Sequence, residues 1–469
     1  MCVLIFSSTA SGKEVKREGS AWVFPYSPDI ELRRHSEIEA AGNEALKLRM
    51  ETGDDKAHVC GVKWPSTLSK IMPDVIRGMG LDDLHHTYEG VGSKLLELWT
   101  LPKYRKEPWS IYSKLPLVDK ILDSICLPNF VQCDVRGISN LSLWKGLHVK
   151  IFLLYLGLPV LEGILPQVYF ENFALFIHCI YTLNSTSISP SDLLLCRKNL
   201  HLFVRQFENL YGERHMTMNV HNTLHLDFVV NNLGPMRCYS CFPFESLNGE
   251  LLRMIHGTRY VQIQLANCAY TLLSLPHEIE SSKSKLVQDF TYKLHHSYQK
   301  MKCETVICPG IFAVGKYGTN VPCEVLPALH DSGLDIGKCR TFPKLRKGSM
   351  LFVSQTHTRA TRTASYIVSY NSASSLSYGI VLIFLNVPCS EHIENSCQCS
   401  FLAAVKPVLT RPFSESGVSS KKIKHIHRYG ALDQVVLVPV TDLMHICFSI
   451  AVEGKDPFLC EQINWYELE

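Results

Sequence analysis

The densest group of side chains able to do chemistry lies between residues 216 and 259, MTMNVHNTLHLDFVVNNLGPMRCYSCFPFESLNGELLRMIHGTR. Apolar residues at Met218, Val220, Leu224, Leu226, Phe228 and Val229 predict a helix with one buried face. His221 and His225 are four apart, so such a helix puts both imidazoles on one side. Gly234-Pro235 ends it. Pro243 is expected just outside the next helix, with Glu245 near that helix's N-terminus, where the dipole favours a carboxylate. An acid so placed suits a metal-binding role in two-metal phosphoryl transfer. By residue type alone, the simpler reading of Glu245 is a helix-start acid. That of His221 and His225 is ordinary helix residues, with zinc as the weaker alternative. Cys238 and Cys241 form a C-x-x-C, but no second pair stands at a zinc-site spacing.

The second informative stretch is GVKWPSTLSKIMPDVIRGMGLDDLHHTYEGVGSKLLELW. Asp82 and His85 are three apart, as are Asp83 and His86. On a helix, either pair shares a face. A carboxylate and an imidazole at that spacing can hydrogen-bond, orient one another, or approach a phosphate or metal. The plainer reading is a helix-start Asp and a partly buried His.

Around these residues the patterns predict an all-helical body over 71–300. The run 32–50 reads as a surface helix with a thin apolar stripe. LSLWKGLHVKIFLLYLGLPVLEGILPQVYFENFALFIHCIYTLN reads as three buried helices split at Pro159 and Pro166. LLLCRKNLHLFVRQFENLYG has a helical apolar period, with Ser191 or Asp192 as N-cap and Gly212 as stop. The Arg and Lys residues of these helices read as solvated faces, with DNA contact as the weaker alternative. Residues 301–348, rich in Gly and Pro, read as linker and loops. From 349 to 469, alternation and β-branching predict strands and a small antiparallel β-barrel-like domain. Cys397-x-Cys399 and KKIKHIHR read as loop features, the basic run being at most a DNA contact or weak nuclear signal. Everything after Lys300 reads as a separate body.

Length and composition bound the rest. A chain of 469 residues suggests roughly two to four domains. Hydrophobic residues at 46% and charged residues at 19% describe a globular chain rather than a disordered one. A net charge of +3 lacks the strong basic bias of a stand-alone DNA-binding domain. No secretory signal is read at the N-terminus. The most apolar stretch, IFLLYLGLPVLEGILP, holds two prolines and Glu162 and is too short to span a bilayer, so no membrane is expected. The 18 scattered cysteines then read as reduced, intracellular thiols.

MTMNVHNTLHL, GPMRCYSCFPFESLNG and IHGTR together resemble the C-terminal catalytic region of CACTA-type (En/Spm-like) cut-and-paste DNA transposases. The resemblance implies that Glu245, in the FPFE element, is the third acid of an Asp-Asp-Glu triad on an RNase H-like core. It implies Mg²⁺ or Mn²⁺ as cofactor, DNA at transposon ends as partner, and a nuclear location. The G-x-K-x-P-S opening and the string that follows match the family's D-x-x-H at Asp82 and His85, implying a role near the active site. Leu81 and Gly90-Val91 favour that register over Asp83 with His86. The helical stretch from roughly 71 to 240 corresponds to the insertion between the second and third acids. Trp144, Lys145 and the Leu-Leu-Tyr ending at Tyr155 match a further family string, but Gly146-Leu147-His148 depart from its small and acidic residues.

The departures are as informative. In the family the first two Asp residues precede a C-x-x-C, and this chain starts about where that pair should be. Cys2 stands in for the first cysteine as a weak zinc candidate, with Ile5 at the second position. Asp29, Asp54 and Asp55 sit in turn or surface contexts and are poor substitutes for the missing acids. The expected fold is therefore α+β: a mostly α-helical N-terminal body, the insertion and C-terminal part of an incomplete RNase H-like core, then the β domain. Residues 1–70 would be a remnant of the catalytic core. Two functions follow: a transposase-derived protein catalytically incomplete alone, or a non-catalytic domesticated module that binds DNA or protein. An uncovered core face would leave an apolar patch for a homo-oligomer or for a partner supplying the missing core.

Overall fold

The computed structural model describes residues 16–18, 21–29, 32–295, 303–357, 363–372, 375–387, 400–413 and 423–463. Helices and antiparallel strands are both abundant, so the chain is mixed α+β. It divides into two compact units, residues 1–240 with 409–430 and 447–469, and residues 241–408 with 431–446. Cys2, Cys397 and Cys399 lie outside the described residues.

In the first unit, α1 (His35–Thr52) buries the thin stripe Ile38, Ala41 and Ala45 and stops at Gly53, whose φ of 70° suits glycine. The wide, i→i+5 helix α2 (Asp83–Gly92) leads directly into α3 (Ser93–Thr100). Then come α4 (Leu115–Asp123) and α5 (Gly146–Ile151), which passes through Phe152–Leu156 into Gly157–Leu161. Pro159 therefore sits inside a helical run rather than splitting it; the widened turn at 152–156 just ahead accommodates the ring. Pro166, by contrast, is the N-cap of α6 (Gln167–Asn184). α7 (Pro190–Tyr211) begins earlier than expected. Ser189 is its N-cap and Pro190 its first residue, and Asp192 sits at N3, closing a capping box. Gly212, at φ 88°, ends it.

The core of this unit is aromatic. Trp99 is fully buried, its indole N–H donates to Tyr211 Oη at 3.0 Å, and Phe173 meets it edge-on at 5.1 Å. Phe176 of α6 stacks on Phe203 of α7 at 4.9 Å. The predicted helix at 218–230 is instead three short pieces, Met218–Asn222, Thr223–His225 and α8 (Leu226–Leu233).

Residues beyond 300 are not one separate body, because two C-terminal segments belong to this helical unit. Ile426–Ala431 pairs with Phe458–Cys460, which pairs with Phe448–Ile450, all antiparallel. Phe448 stacks on Tyr155 at 4.1 Å, and the His425 ring stacks on Tyr181 at 3.6 Å while its Nε2 donates to the Leu154 carbonyl at 2.9 Å. The Arg428 guanidinium reaches both Glu162 carboxylate oxygens at 2.7 and 2.8 Å, and Lys455 Nζ donates to the Glu162 carbonyl at 2.6 Å. The described part of KKIKHIHR is thus built into the fold. Only Lys424 of it is an exposed cation, 3.8 Å from Asp192.

The second unit holds α9 (Phe242–Arg253), α10 (Val261–Ser281) and α11 (Lys285–His295). Residues 301–348 are more than linker. Glu304–Cys308, Ile311–Val314, Lys344–Lys347 and Met350–Val353 form a four-stranded antiparallel sheet. Pro309 and Gly310, the latter at φ 79°, turn the first hairpin, so the Gly and Pro content marks tight turns between strands. A second sheet runs Leu443–Ile446, Ile367–Ser372, Ser375–Val387, Ser400–Pro412. It is open and not a barrel, since its edge strand Leu443–Ile446 has one neighbour in the sheet order. Val325 and Leu329, from the turn and short helix beside it, pack on Leu382, Leu385 and Ala404.

α9 and α10 bury no residue at all. Phe244, Leu247, Tyr270, Leu273, Leu286 and Phe290 of α9–α11 are all exposed. Large apolar side chains left exposed on three successive helices suit an interaction surface.

Candidate functional site

The site begins with a helix cap. Asp82 has extended backbone, at φ −69° and ψ 151°, and is the N-cap of α2. Its Oδ1 accepts the His85 backbone N–H at 3.0 Å and lies 3.3 Å from His85 Nδ1. One oxygen thus satisfies an otherwise unpaired helix-start donor and holds the imidazole. The Asp82 side chain is 19% exposed and that of His85 is 50% exposed, so the pair is within reach of solvent.

The alternative register points inward. Asp83 is fully buried. His86 is buried as well, and its Nε2 donates to the Asn219 carbonyl at 2.9 Å. Burial drives the His86 pKa down to about 4, against the opposing pull of that hydrogen bond and of Asp82, so the ring is neutral. Two close approaches require glycine here. A Cβ at Gly80 would lie 2.7 Å from the Tyr239 ring, and one at Gly90 would lie 2.5 Å from the Asn219 amide. These contacts seat the 236–240 segment and the Met218–Asn222 turn against the helix that carries the pair. Burial also raises the Tyr239 phenol, next to Asp83.

Within the first unit, the Asp82 carboxylate and the His85 imidazole are the outward pair of possible ligands, one oxygen and one nitrogen. Mg²⁺ and Mn²⁺ prefer all-oxygen shells, and a single carboxylate does not fit a two-metal phosphoryl-transfer site.

The other sequence candidates fall elsewhere. Glu245 is exposed in the first turn of α9, in the second unit. The expected helix-start placement is there, but Pro243 lies inside the helix at N2, where its missing N–H costs nothing. His221 and His225 are both buried, with ring centroids 5.7 Å apart. Neither ring nitrogen of His221 has a hydrogen-bond partner. Burial lowers His221 to about 4 and His225 to about 3, the latter helped by His221, His201 and His86. Among the described residues, no third ligand joins these two histidines in a metal-holding group.

Sequence reading passed over a cleft in the first unit, of about 690 Å³, between α7 and α8. Arg197 and His201 line it from α7, and Asp227 and Phe228 from α8. The only sequence signal was spacing: Leu193, Arg197 and His201 recur every four residues on a helix otherwise read as having a solvated polar face.

Removing the cap has a separable consequence. Asp82→Ala is expected to cost about 1 kcal/mol of stability, within the roughly 0.5–2 kcal/mol range of N-cap losses. Asp82→Asn keeps a capping oxygen and should be nearly neutral. Urea melts of both variants check this; equal melts would show that the cap carries no weight.

No family model, curated protein or solved structure matches this chain.

Proposed function

We propose that the chain is a transposase-derived protein related to CACTA-type cut-and-paste DNA transposases, and that it engages DNA without completing the cleavage chemistry by itself. The observation that carries this reading is the conjunction of the FPFE string, with Glu245 opening α9, and the D-x-x-H whose two side chains lie 3.3 Å apart at the start of α2. The reading brings with it transposon-end DNA as partner, Mg²⁺ or Mn²⁺ for the ancestral strand cleavage and transfer, an RNase H-like ancestry for the core, and a nuclear site of action. Catalytic incompleteness is part of this proposal, supported by the exposed positions of Asp29, Asp54 and Asp55, which are poor substitutes for the family's first two acids.

A second reading, a non-catalytic DNA- or protein-binding module, is favoured by the exposed apolar side chains of α9–α11, which suit a second copy or another protein.

One experiment separates these. The purified protein is tested for gel shift and for Mg²⁺- or Mn²⁺-dependent nicking of duplex DNA, with Glu245→Gln and Asp82→Asn as controls. A shift without nicking is the expected result. Nicking abolished by Glu245→Gln would establish a competent enzyme and overturn the claim of incompleteness. No shift on any duplex would remove DNA from the reading and leave the protein-binding module.

A further inference from the structure

The α7–α8 cleft is a built pocket with an unusual polar pair. Leu194, Arg197 and His201 project into it from one side of α7, and His225, Asp227 and Phe228 from α8 and the turn before it. A volume of about 690 Å³ lies inside the range of roughly 300–1,000 Å³ typical of small-molecule sites. Arg197 Nε and Asp227 Oδ2 stand 3.9 Å apart, side by side but beyond hydrogen-bond distance. The Asp227 side chain is 15% exposed and that of Arg197 is 65% exposed, so the acid lies deep and the guanidinium at the mouth.

The electrostatics narrow the occupant. Burial raises the Asp227 pKa and Arg197 beside it opposes the rise; with Asp227 ionised, an anion would meet its charge and a cation would meet Arg197. His225 adds no compensating charge, because burial lowers it to about 3 and keeps it neutral, and burial lowers His201 as well. His201 is further held by Tyr26, whose Oη lies 3.4 Å from its Nδ1. The pocket therefore suits a neutral, flat molecule that offers hydrogen-bond donors to the carboxylate and, beside them, acceptors to the guanidinium. The half-exposed Phe228 supplies an aromatic wall for such a ring.

Among nucleobases, guanine alone offers an adjacent pair of N–H donors, N1–H and N2–H, next to an adjacent pair of acceptors, O6 and N7. An ionised carboxylate only accepts, and Arg reads O6 and N7 with two parallel bonds. Adenine and cytosine give the carboxylate a single amino group, and thymine a single N–H between two carbonyls. We propose that this cleft binds an unstacked guanine base, with Asp227 on its N1–H and N2–H and Arg197 on its O6 and N7. The inference rests on the nucleic-acid reading only for the source of that base, since the chemistry is the same for a free guanine nucleotide and for a guanine displaced from a strand.

The test is calorimetric titration of the full chain with GMP, AMP and CMP, and with oligothymidine carrying or lacking one central guanine. GMP is expected to bind at least about tenfold tighter than AMP or CMP. Asp227→Asn and Arg197→Met should each weaken it by about tenfold to a hundredfold, the worth of one bidentate base contact. Arg197 is mostly exposed, so Arg197→Met tests the site without threatening the fold. A guanine-bearing oligonucleotide that outcompetes GMP would identify the strand as source. GMP binding with no gain from the oligonucleotide would identify a free nucleotide. Equal affinities for the three nucleotides, no binding of any, or unchanged GMP binding in both variants would overturn the proposal. These outcomes are independent of the duplex gel shift. Guanine binding can fail while DNA binding stands, and the reverse.

Discussion

Acidification from pH 7 to about 4.5 is expected to unfold the first unit. Four of its histidines are held neutral inside it. Burial lowers His86 and His221 to about 4, and His225 and His425 to about 3, against an ordinary value of 6.5. Each imidazole binds a proton in the unfolded chain near pH 6.5 but refuses it in the fold until pH 4 or lower. Between those values the unfolded state holds more protons, so stability falls as pH falls. The stabilisation is complete above pH 6.5 and is lost progressively on the way down to the folded values. At pH 4.5 each group contributes a loss of about 2–3 kcal/mol. Four together reach about 10 kcal/mol, comparable to the whole net stability of a domain, about 5–15 kcal/mol.

The measurement is circular dichroism and tryptophan fluorescence against pH, with Trp99 as the buried reporter. His221→Phe is the diagnostic variant. His221 has no hydrogen-bond partner to lose and already faces Phe24 and His225. It should move the acid midpoint downward by several tenths of a pH unit. A native spectrum retained at pH 3.5 would refute the account.

Glu162→Ala is expected to loosen the C-terminal strands from the helical body. Its carboxylate accepts from Arg428 at 2.7 and 2.8 Å and from Lys455 at 3.2 Å, and all three side chains are only 22–28% exposed. Truncation leaves two cations facing each other in a partly desolvated place. Fully buried pairs lose roughly 3–5 kcal/mol when one partner goes, and exposed pairs almost nothing; partial exposure here puts the loss at about 2–3 kcal/mol. Lys455 keeps its bond to the Glu162 carbonyl at the end of Gly157–Leu161, and Arg428 keeps its place over the Phe458 ring, 4.6 Å from the centroid. Both contacts limit the damage. Hydrogen exchange should therefore quicken in Ile426–Ala431 and Phe458–Cys460, while Ser375–Val387 of the second unit keeps its protection. Uniform exchange across all three would contradict the docking role given to Glu162.

Local chemistry was legible in the chain where the responsible force is local. Glu245 at a helix start follows from FPFE, and the ends of α1 and α7 from Gly53 and Gly212. Most strands after residue 349 follow from alternation and β-branching. Errors arose where a local rule has two solutions. Ser189-Pro190-Ser191-Asp192 offers three capping residues, and the one preceding proline won because proline needs no N–H partner at the first helical position. Pro and Gly at 309–310 mark a hairpin turn as readily as a linker, and only the pairing of Glu304–Cys308 with Ile311–Val314 decides between them.

What the sequence determined by itself was element type and the adjacency of groups a few residues apart. The Asp82–His85 pair is the clearest case, since three residues across a helix start is a fixed distance. Tertiary structure decided every relation between segments distant in sequence. It chose Asp82 with His85 over Asp83 with His86 as the outward pair, by burying the latter under Tyr239 and Asn219. It carried a basic-looking C-terminal run into the helical body, because Glu162, Tyr181 and the Leu154 carbonyl offer charge, stacking and an acceptor some 260 residues away in the chain. It also opened the Arg197–Asp227 cleft, whose two polar groups lie on different helices. No spacing rule encodes that distance; it is set by how α7 and α8 pack.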